Sequence, residues 1–224
     1  MIEYETYNEK VNGDDLKLTI YYDEYADDPR EWDNLTTMVC WHSRYNLGDK
    51  HDFSTMSDFI DYLIDTCEAS DDEKRKLHKL NNFRTIKALN IILKKLIDFG
   101  TYCKKLYLYD HSGITISTGD FGDVWDSGMV GFVYITQKTI ENETGYPKEE
   151  WKETASRFID GEVKTYDDFL TGEVFGYTLE KITYCETCGD EHLEEVDACC
   201  GFYGTDFKEN GLLDNIPKEF YKHF

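Results

Sequence analysis

Alternating apolar and polar side chains predict two strands near the start of the chain. Residues 16–22 place Leu16, Leu18 and Ile20 on one face, a period of two that is typical of a half-buried strand. Residues 35–41 are rich in apolar and β-branched side chains and predict a second strand. Pro29 lies between the two segments and would separate them.

The pattern then changes to helical spacing. Ser57 and Asp58 favour the start of a helix. Its apolar face would consist of Phe59, Ile60, Leu63, Ile64 and Cys67. Residues 69–72 would end this helix and cap the next. The apolar positions from Leu77 to Ile97 predict one long helix, which Gly100 would end.

A period of two returns later in the chain. It predicts strands over residues 105–109, 114–117, 130–136, 174–182 and 193–201, of which the last two would form an antiparallel pair. One helical turn is expected at 139–143, a helix after Pro147 and a short surface helix over 216–224.

These elements predict an α+β fold. We expect an antiparallel sheet of about five to seven strands, with two or three helices packed on one face. Residues 1–224 would form a single acidic domain, in which residues 173–206 could be a C-terminal hairpin subdomain.

Charge narrows the range of partners. The chain has 46 Asp and Glu against 24 Lys and Arg, a net charge of −22, and only residues 81–115 are basic, with six bases and two acids. Such a surface repels nucleic acid and anionic membrane and attracts basic proteins. Aromatic residues make up 15% of the chain, which is typical of a folded protein rather than a disordered acidic tail.

Two interpretations of the acidic surface remain open. The acids could simply keep the protein soluble, or one face could copy the phosphate spacing of a duplex, about one charge per 1.7 Å of axis. In the second case the partner-binding residues would be Asp23, Glu24, Asp27, Asp28, Asp120, Asp123, Trp125 and Asp126. Trp125 lies in a Gly-rich loop, where it would either anchor an interface or cover the edge of the core.

Cysteines suggest a structural zinc site. The chain has seven cysteines, and its first residues lack the basic and apolar segments of a secretory signal, so we expect reduced thiols. Zinc favours a C-x-x-C pair between two strands. The candidate ligands are Cys185, Cys188, His192, Cys199 and Cys200. The alternative is a hairpin tip with free thiols.

A hydrolytic site is a second kind of candidate. His42, His51, Asp110 and His111 are residue types used in nucleophilic and metal-assisted hydrolysis. Their spacing is equally compatible with polar turns and surface ion pairs. No segment of 18 apolar residues occurs, so we expect no membrane span.

Five segments carry a resemblance to a known family. They are residues 29–34 (PREWDN), 45–51 (YNLGDKH), 108–113 (LYDHSG), 125–128 (WDSG) and 200–204 (CGFYG). Together they resemble an uncharacterised family of small acidic proteins from phages and integrative elements of Gram-positive bacteria. In relatives the last segment tends to read CWGFYG, and here Cys200 replaces the tryptophan.

The resemblance implies a role in counter-defence, of the anti-CRISPR or antirestriction type, in the cytoplasm of a bacterial host. The expected partner is a basic nucleic-acid-binding protein, such as a CRISPR effector or a restriction nuclease, which the acidic surface would block without catalysis. Two alternatives remain: a hydrolase or nucleotide-degrading enzyme that uses the His42, His51, Asp110 and His111 region, and a non-catalytic regulatory module of a mobile element.

Overall fold

The computed structural model describes residues 2–224, which contain eight strands and five α-helices. The strands are β1 (Ile2–Val11), β2 (Asp14–Tyr22), β3 (Thr37–Cys40), β4 (Thr101–Asp110), β5 (Ile114–Ser117), β6 (Ser127–Thr136), β7 (Val174–Tyr184) and β8 (Glu191–Tyr203). The helices are α1 (Met56–Thr66), α2 (Asp71–Asn81), α3 (Ile86–Asp98), α4 (Gln137–Glu143) and α5 (Trp151–Thr171). The predicted α+β class is confirmed.

The strands form two four-stranded antiparallel sheets rather than one larger sheet. The chain likewise divides into two compact units, although we predicted one domain of residues 1–224. The terminal unit comprises the chain up to Asp28 together with Asp168–Phe224, and the central unit is Pro29–Asp167.

In the terminal unit the strand order is β1-β2-β7-β8. The hairpin between β1 and β2 turns at Asn12 and Gly13, which both have positive φ and allow the tight turn. The apolar face of this sheet is covered by the C-terminal segment. The buried residues of this core include Leu18, Ile20, Phe175, Tyr177, Phe202, Phe207, Leu212 and Phe220. The predicted surface helix is a 3₁₀-helix (Lys218–His223) that is anchored by the fully buried Phe220.

In the central unit the strand order is β3-β6-β4-β5. One face of the sheet packs on α1–α3, in a core that includes Phe59, Ile60, Leu63, Ile92, Leu96, Cys103 and Phe132. Tyr102 and Lys104, the β4 neighbours of Cys103, contact Trp151 and Ser156 of α5 instead. Because neighbouring residues of a strand point to opposite faces, α5 covers the second face, so this sheet has helices on both faces rather than on one.

The predicted long helix is divided into α2 and α3. Thr85 is the N-cap of α3 and accepts a hydrogen bond from the Ala88 N–H, while Arg84 has a φ of 48°, outside the right-handed helical region. The apolar spacing from Leu77 to Ile97 continues across this break, which explains the incorrect prediction.

A buried arginine holds the segments around β3 to α5. Arg30, whose side chain is 3% exposed, donates two hydrogen bonds of 2.9 Å to Asp49 and one of 3.0 Å to Glu162. Asp49 also accepts the Met38 N–H, and Glu162 accepts the Leu35 N–H. Burial opposes the charge of Arg30, but the hydrogen bonds to Asp49 and Glu162 outweigh it and raise the guanidinium pKa.

We expect Arg30→Met to lower the free energy of unfolding by about 3–5 kcal/mol, because two largely buried carboxylates lose their counter-charge. Urea unfolding followed by circular dichroism measures this change. Arg75→Met removes an exposed partner of Asp72 and should leave stability nearly unchanged. Equal stability of the two variants would contradict this role of Arg30.

Candidate functional site

Three strand ends meet at one edge of the central sheet. Strands β3 and β4 are both antiparallel to β6, so they run parallel to each other and their C-terminal ends lie beside the start of β6. The result is an open cavity of about 390 Å³, lined by residues 41–44, Leu108, Asp110 and residues 125–130. Segments 108–113 and 125–128 both reach this cavity.

His42 and Arg44 lie on the β3 side of the cavity. The Nδ1 atom of His42 accepts the backbone N–H groups of Arg44 at 3.3 Å and Tyr45 at 3.2 Å, so the neutral ring carries its proton on Nε2. The ring stacks on Tyr45, with centroids 4.9 Å apart. Arg44 forms an ion pair with Asp110, which also accepts the Tyr45 hydroxyl at 3.3 Å.

The opposite side of the cavity is an acidic loop. Oδ1 of Asp123 accepts the backbone N–H groups of Asp126 at 2.9 Å and Trp125 at 2.8 Å, and these two bonds lower the Asp123 pKa. Asp126 in turn contacts Nδ1 of His111 at 3.0 Å. The oxygen Oδ1 of Asp120 accepts the Gly122 N–H at 2.9 Å. All three aspartates therefore stabilise the shape of the loop.

Trp125 is 91% exposed at the tip of this loop. We considered two roles for Trp125, anchoring an interface and covering the edge of the core. Its exposure does not fit the second role. Its neighbour Val124 is 85% exposed. The loop therefore presents apolar side chains to solvent while hydrogen bonds to Asp123 fix its backbone.

The structure does not gather the four candidate hydrolytic residues. His42 and Asp110 line the cavity, and His111 contacts Asp126 of the lining. Nε2 of His51, by contrast, is 2.8 Å from the Cys40 carbonyl oxygen, and its ring packs against Trp41 with centroids 4.9 Å apart. Among the described residues, Nδ1 of His51 is the one buried side-chain nitrogen or oxygen with no hydrogen-bond partner.

The other predicted acids belong to the terminal unit. Asp23, Glu24, Asp27 and Asp28 follow β2 along the chain. The Tyr203 hydroxyl at the end of β8 donates to the Asp27 carbonyl oxygen at 2.5 Å. Burial is the main cause that raises the pKa of Tyr203 to about 12, and the charges of Asp27, Asp23 and Asp28 raise it further.

Sequence reasoning did not single out the acids of strand β8. This strand lies at the edge of its sheet, and residues 191–201 are exposed. Its acidic residues are Glu191, Glu194, Glu195 and Asp197. Asp197 accepts the Tyr177 hydroxyl at 2.6 Å, so it also has a structural role. The signal in the sequence was the density of acids within a predicted strand.

The predicted zinc ligands are divided between two places. Cys185 and Cys188 lie at the tip of the β7–β8 hairpin, and His192 is near them, opposite Thr183. Cys199 lies opposite Tyr177 of β7. Because Tyr177 precedes Cys185 by eight residues, Cys199 is about 26 Å from Cys185 along the strand. Cys200 follows it, so the four-ligand site that we expected is not assembled. Within residues 2–224, no group of three or more His, Cys, Asp or Glu is arranged to hold a metal ion.

The two thiols of the tip differ. The backbone N–H groups of Cys188 and Thr187 donate to the Cys185 sulfur and lower its pKa to about 7. The Cys188 thiol instead donates to Asp190 at 3.0 Å, which raises the Cys188 pKa.

Comparison of the chain with protein-family models, curated proteins and solved structures finds no match. None of the helices in residues 2–224 is both long enough and apolar enough to cross a membrane.

A glycine in β6 allows β3 to approach closely at this edge. A Cβ on Gly131 would lie 2.2 Å from the Val39 carbonyl oxygen, whereas a Cβ on Gly128 of the same strand would meet open space. We expect Gly131→Ala to destabilise the protein by about 1–3 kcal/mol or more, as overpacking does. Gly128→Ala should change stability by less than about 1 kcal/mol. Thermal unfolding of both variants tests this, and equal melting temperatures would contradict it.

The two thiols of the tip should also titrate separately. Since the thiolate is the reactive form, alkylation of Cys185 in metal-free protein should reach half its maximal rate near pH 7. Cys188 should require a pH above its ordinary pKa of 9.0. Iodoacetamide labelling from about pH 5.5 to about pH 11, followed by peptide mass spectrometry, measures both profiles. Coincident profiles would mean that the N–H groups do not stabilise the Cys185 thiolate.

Proposed function

We propose that this protein binds the nucleic-acid-binding surface of a basic host protein and blocks it, as a counter-defence protein of a phage or mobile element would. The observation that carries the proposal is Trp125, an exposed tryptophan on an acidic loop whose backbone is fixed by Asp123. Tryptophan is among the residues that most often dominate binding energy at interfaces. A loop that is ordered before binding loses less conformational entropy on association.

Charge would bring the two proteins together. A net charge of −22 steers a basic surface toward this chain and gives fast association that weakens with salt. The acids around Trp125 would then pair with lysines and arginines that otherwise contact phosphates. The acids that follow β2 belong to the other unit and are a separate candidate contact group. The expected partner class is therefore a CRISPR effector or a restriction nuclease.

The spacing of the acids favours discrete contacts over a replica of DNA. Strand β8 carries four acids in 13 residues, or about one per 11 Å at 3.3 Å per residue. A duplex carries about one charge per 1.7 Å of axis. We therefore propose that the acids occupy selected phosphate-binding positions of the partner.

The cavity favours binding over hydrolysis. Asp110 is neutralised by Arg44, and Nδ1 of His42 is used by two backbone N–H groups. A general base acts through an acceptor that is within reach of the proton that it removes, and in this arrangement His42 and Asp110 are already engaged with groups of this chain. Arg44 and Tyr45, by contrast, are residue types that are frequent at interface hot spots.

The test is binding to purified CRISPR effectors and restriction nucleases of a Gram-positive bacterium, measured by surface plasmon resonance. We expect Trp125→Ala to weaken binding about 30-fold, which corresponds to about 2 kcal/mol, with no change in melting temperature. Phe83→Ala is the matched control, because Phe83 is 68% exposed but lies in the basic part of the sequence.

Duplex DNA should compete with the protein, and affinity should fall between 0.05 and 0.3 M NaCl. Binding that is indifferent to Trp125→Ala and to competing nucleic acid would overturn the proposal. So would a physiological partner that has no nucleic-acid-binding surface.

A further inference from the structure

We infer that Cys185 and Cys188 form half of a zinc site, and that the same pair from a second copy of this chain completes it. One Zn²⁺ would then join two hairpin tips through four thiolates. This inference is independent of the proposed function, because it rests on the hairpin tip and not on Trp125 or on the acids.

The tip has the geometry of a metal-binding turn. The Cys185 N–H donates to the Asp190 carbonyl at 2.8 Å, and the Gly189 N–H donates to the Cys185 carbonyl at 2.8 Å. Gly189 has a φ of 76°, which a glycine adopts without strain. The backbone N–H groups of Thr187 and Cys188 are directed at the Cys185 sulfur. The C-x-x-C spacing is one that structural zinc sites use.

The chain does not complete this site alone. A closed structural zinc site needs four ligands in a tetrahedron. Cys199 and Cys200 are about 26 Å away along the strand. Asp190 accepts the Cys188 thiol, but residues 2–224 contain no group of three or more His, Cys, Asp or Glu that is arranged to hold a metal ion. The two missing ligands must therefore come from another molecule, and a second copy supplies two identical thiols.

The tip is open to a second copy. The last paired residues between β2 and β7 are Leu16 and Lys181, so the β7–β8 hairpin continues beyond β2. Residues 186–201 are exposed. Two such tips can approach each other end to end, which brings four sulfurs around one ion.

Charge gives this dimer a distinctive salt dependence. Each tip carries Glu186, Asp190 and Glu191, and each chain has a net charge of −22, so two copies repel each other. Salt screens this repulsion, with a Debye length of about 10 Å at 0.1 M. The zinc-linked dimer should tighten as salt rises, whereas binding to a basic partner should weaken. The two proposals can therefore fail separately.

The experiment titrates the metal-free full-length chain with ZnCl₂ under reducing conditions. We expect 0.5 equivalents of bound zinc by elemental analysis and a doubling of the 26.3 kDa mass by light scattering. The dimer dissociation constant should fall at least threefold between 0.05 and 0.3 M NaCl, and EDTA should restore the monomer. Co²⁺ should give the intense visible absorption of a tetrahedral tetrathiolate site.

Variants locate the site. Cys185→Ser and Cys188→Ser should each weaken zinc binding more than 100-fold and prevent dimerisation, with unchanged circular dichroism. Cys200→Ser is the matched control, an exposed cysteine of β8 that should have no effect.

Three results would overturn the inference. They are one zinc per chain without a change in mass, loss of zinc in Cys199→Ser or Cys200→Ser, and less than 0.05 equivalents of zinc retained by the wild-type chain.

Discussion

The guanidinium of Arg30 connects three segments of the central unit that are distant in sequence. It pairs with Asp49 and Glu162, and these carboxylates accept backbone N–H groups on both sides of the start of β3. Strand β3 has only four residues and is an edge strand that pairs with β6 alone, so its ladder supplies few hydrogen bonds. Because residues 41–44 follow it directly, the position of the cavity wall depends on this buried charge.

The same pairing shows why net charge alone does not identify a binding surface. Asp49 and Glu162 neutralise a buried arginine, and Asp123 caps a turn. These acids are required by the fold, whatever the partner.

Local patterns predicted most elements but not their arrangement. The structure confirms the predicted strand at Leu16, Leu18 and Ile20. It also confirms the predicted apolar face of α1. Strand β1 was not predicted, although Asn12-Gly13 is a strong hairpin signal, because its alternation is interrupted by a bulge between Glu3 and Glu5. The pairing of β2 with β7 joins residues about 160 positions apart, which no local pattern encodes.

The candidate sites show the same limit. The segment around Asp110 and the one around Trp125 meet because β3 and β4 are both antiparallel to β6, a fact of topology. The C-x-x-C pair was recognisable from its spacing, since its two residues share one turn. Its assumed partners, Cys199 and Cys200, were close in sequence but are separated by the length of an extended strand.

Strand β8 is a long, exposed edge strand, and this position in the sheet is relevant to both proposals. A long exposed edge strand invites pairing with other chains, and proteins prevent this with charged side chains. The acids of β8 provide that protection, since two copies brought edge to edge would align like charges. The hairpin tip beyond them is the part of this edge where a metal ion could offset the repulsion locally. The acids that prevent contact along the strand therefore confine any association through this hairpin to its tip.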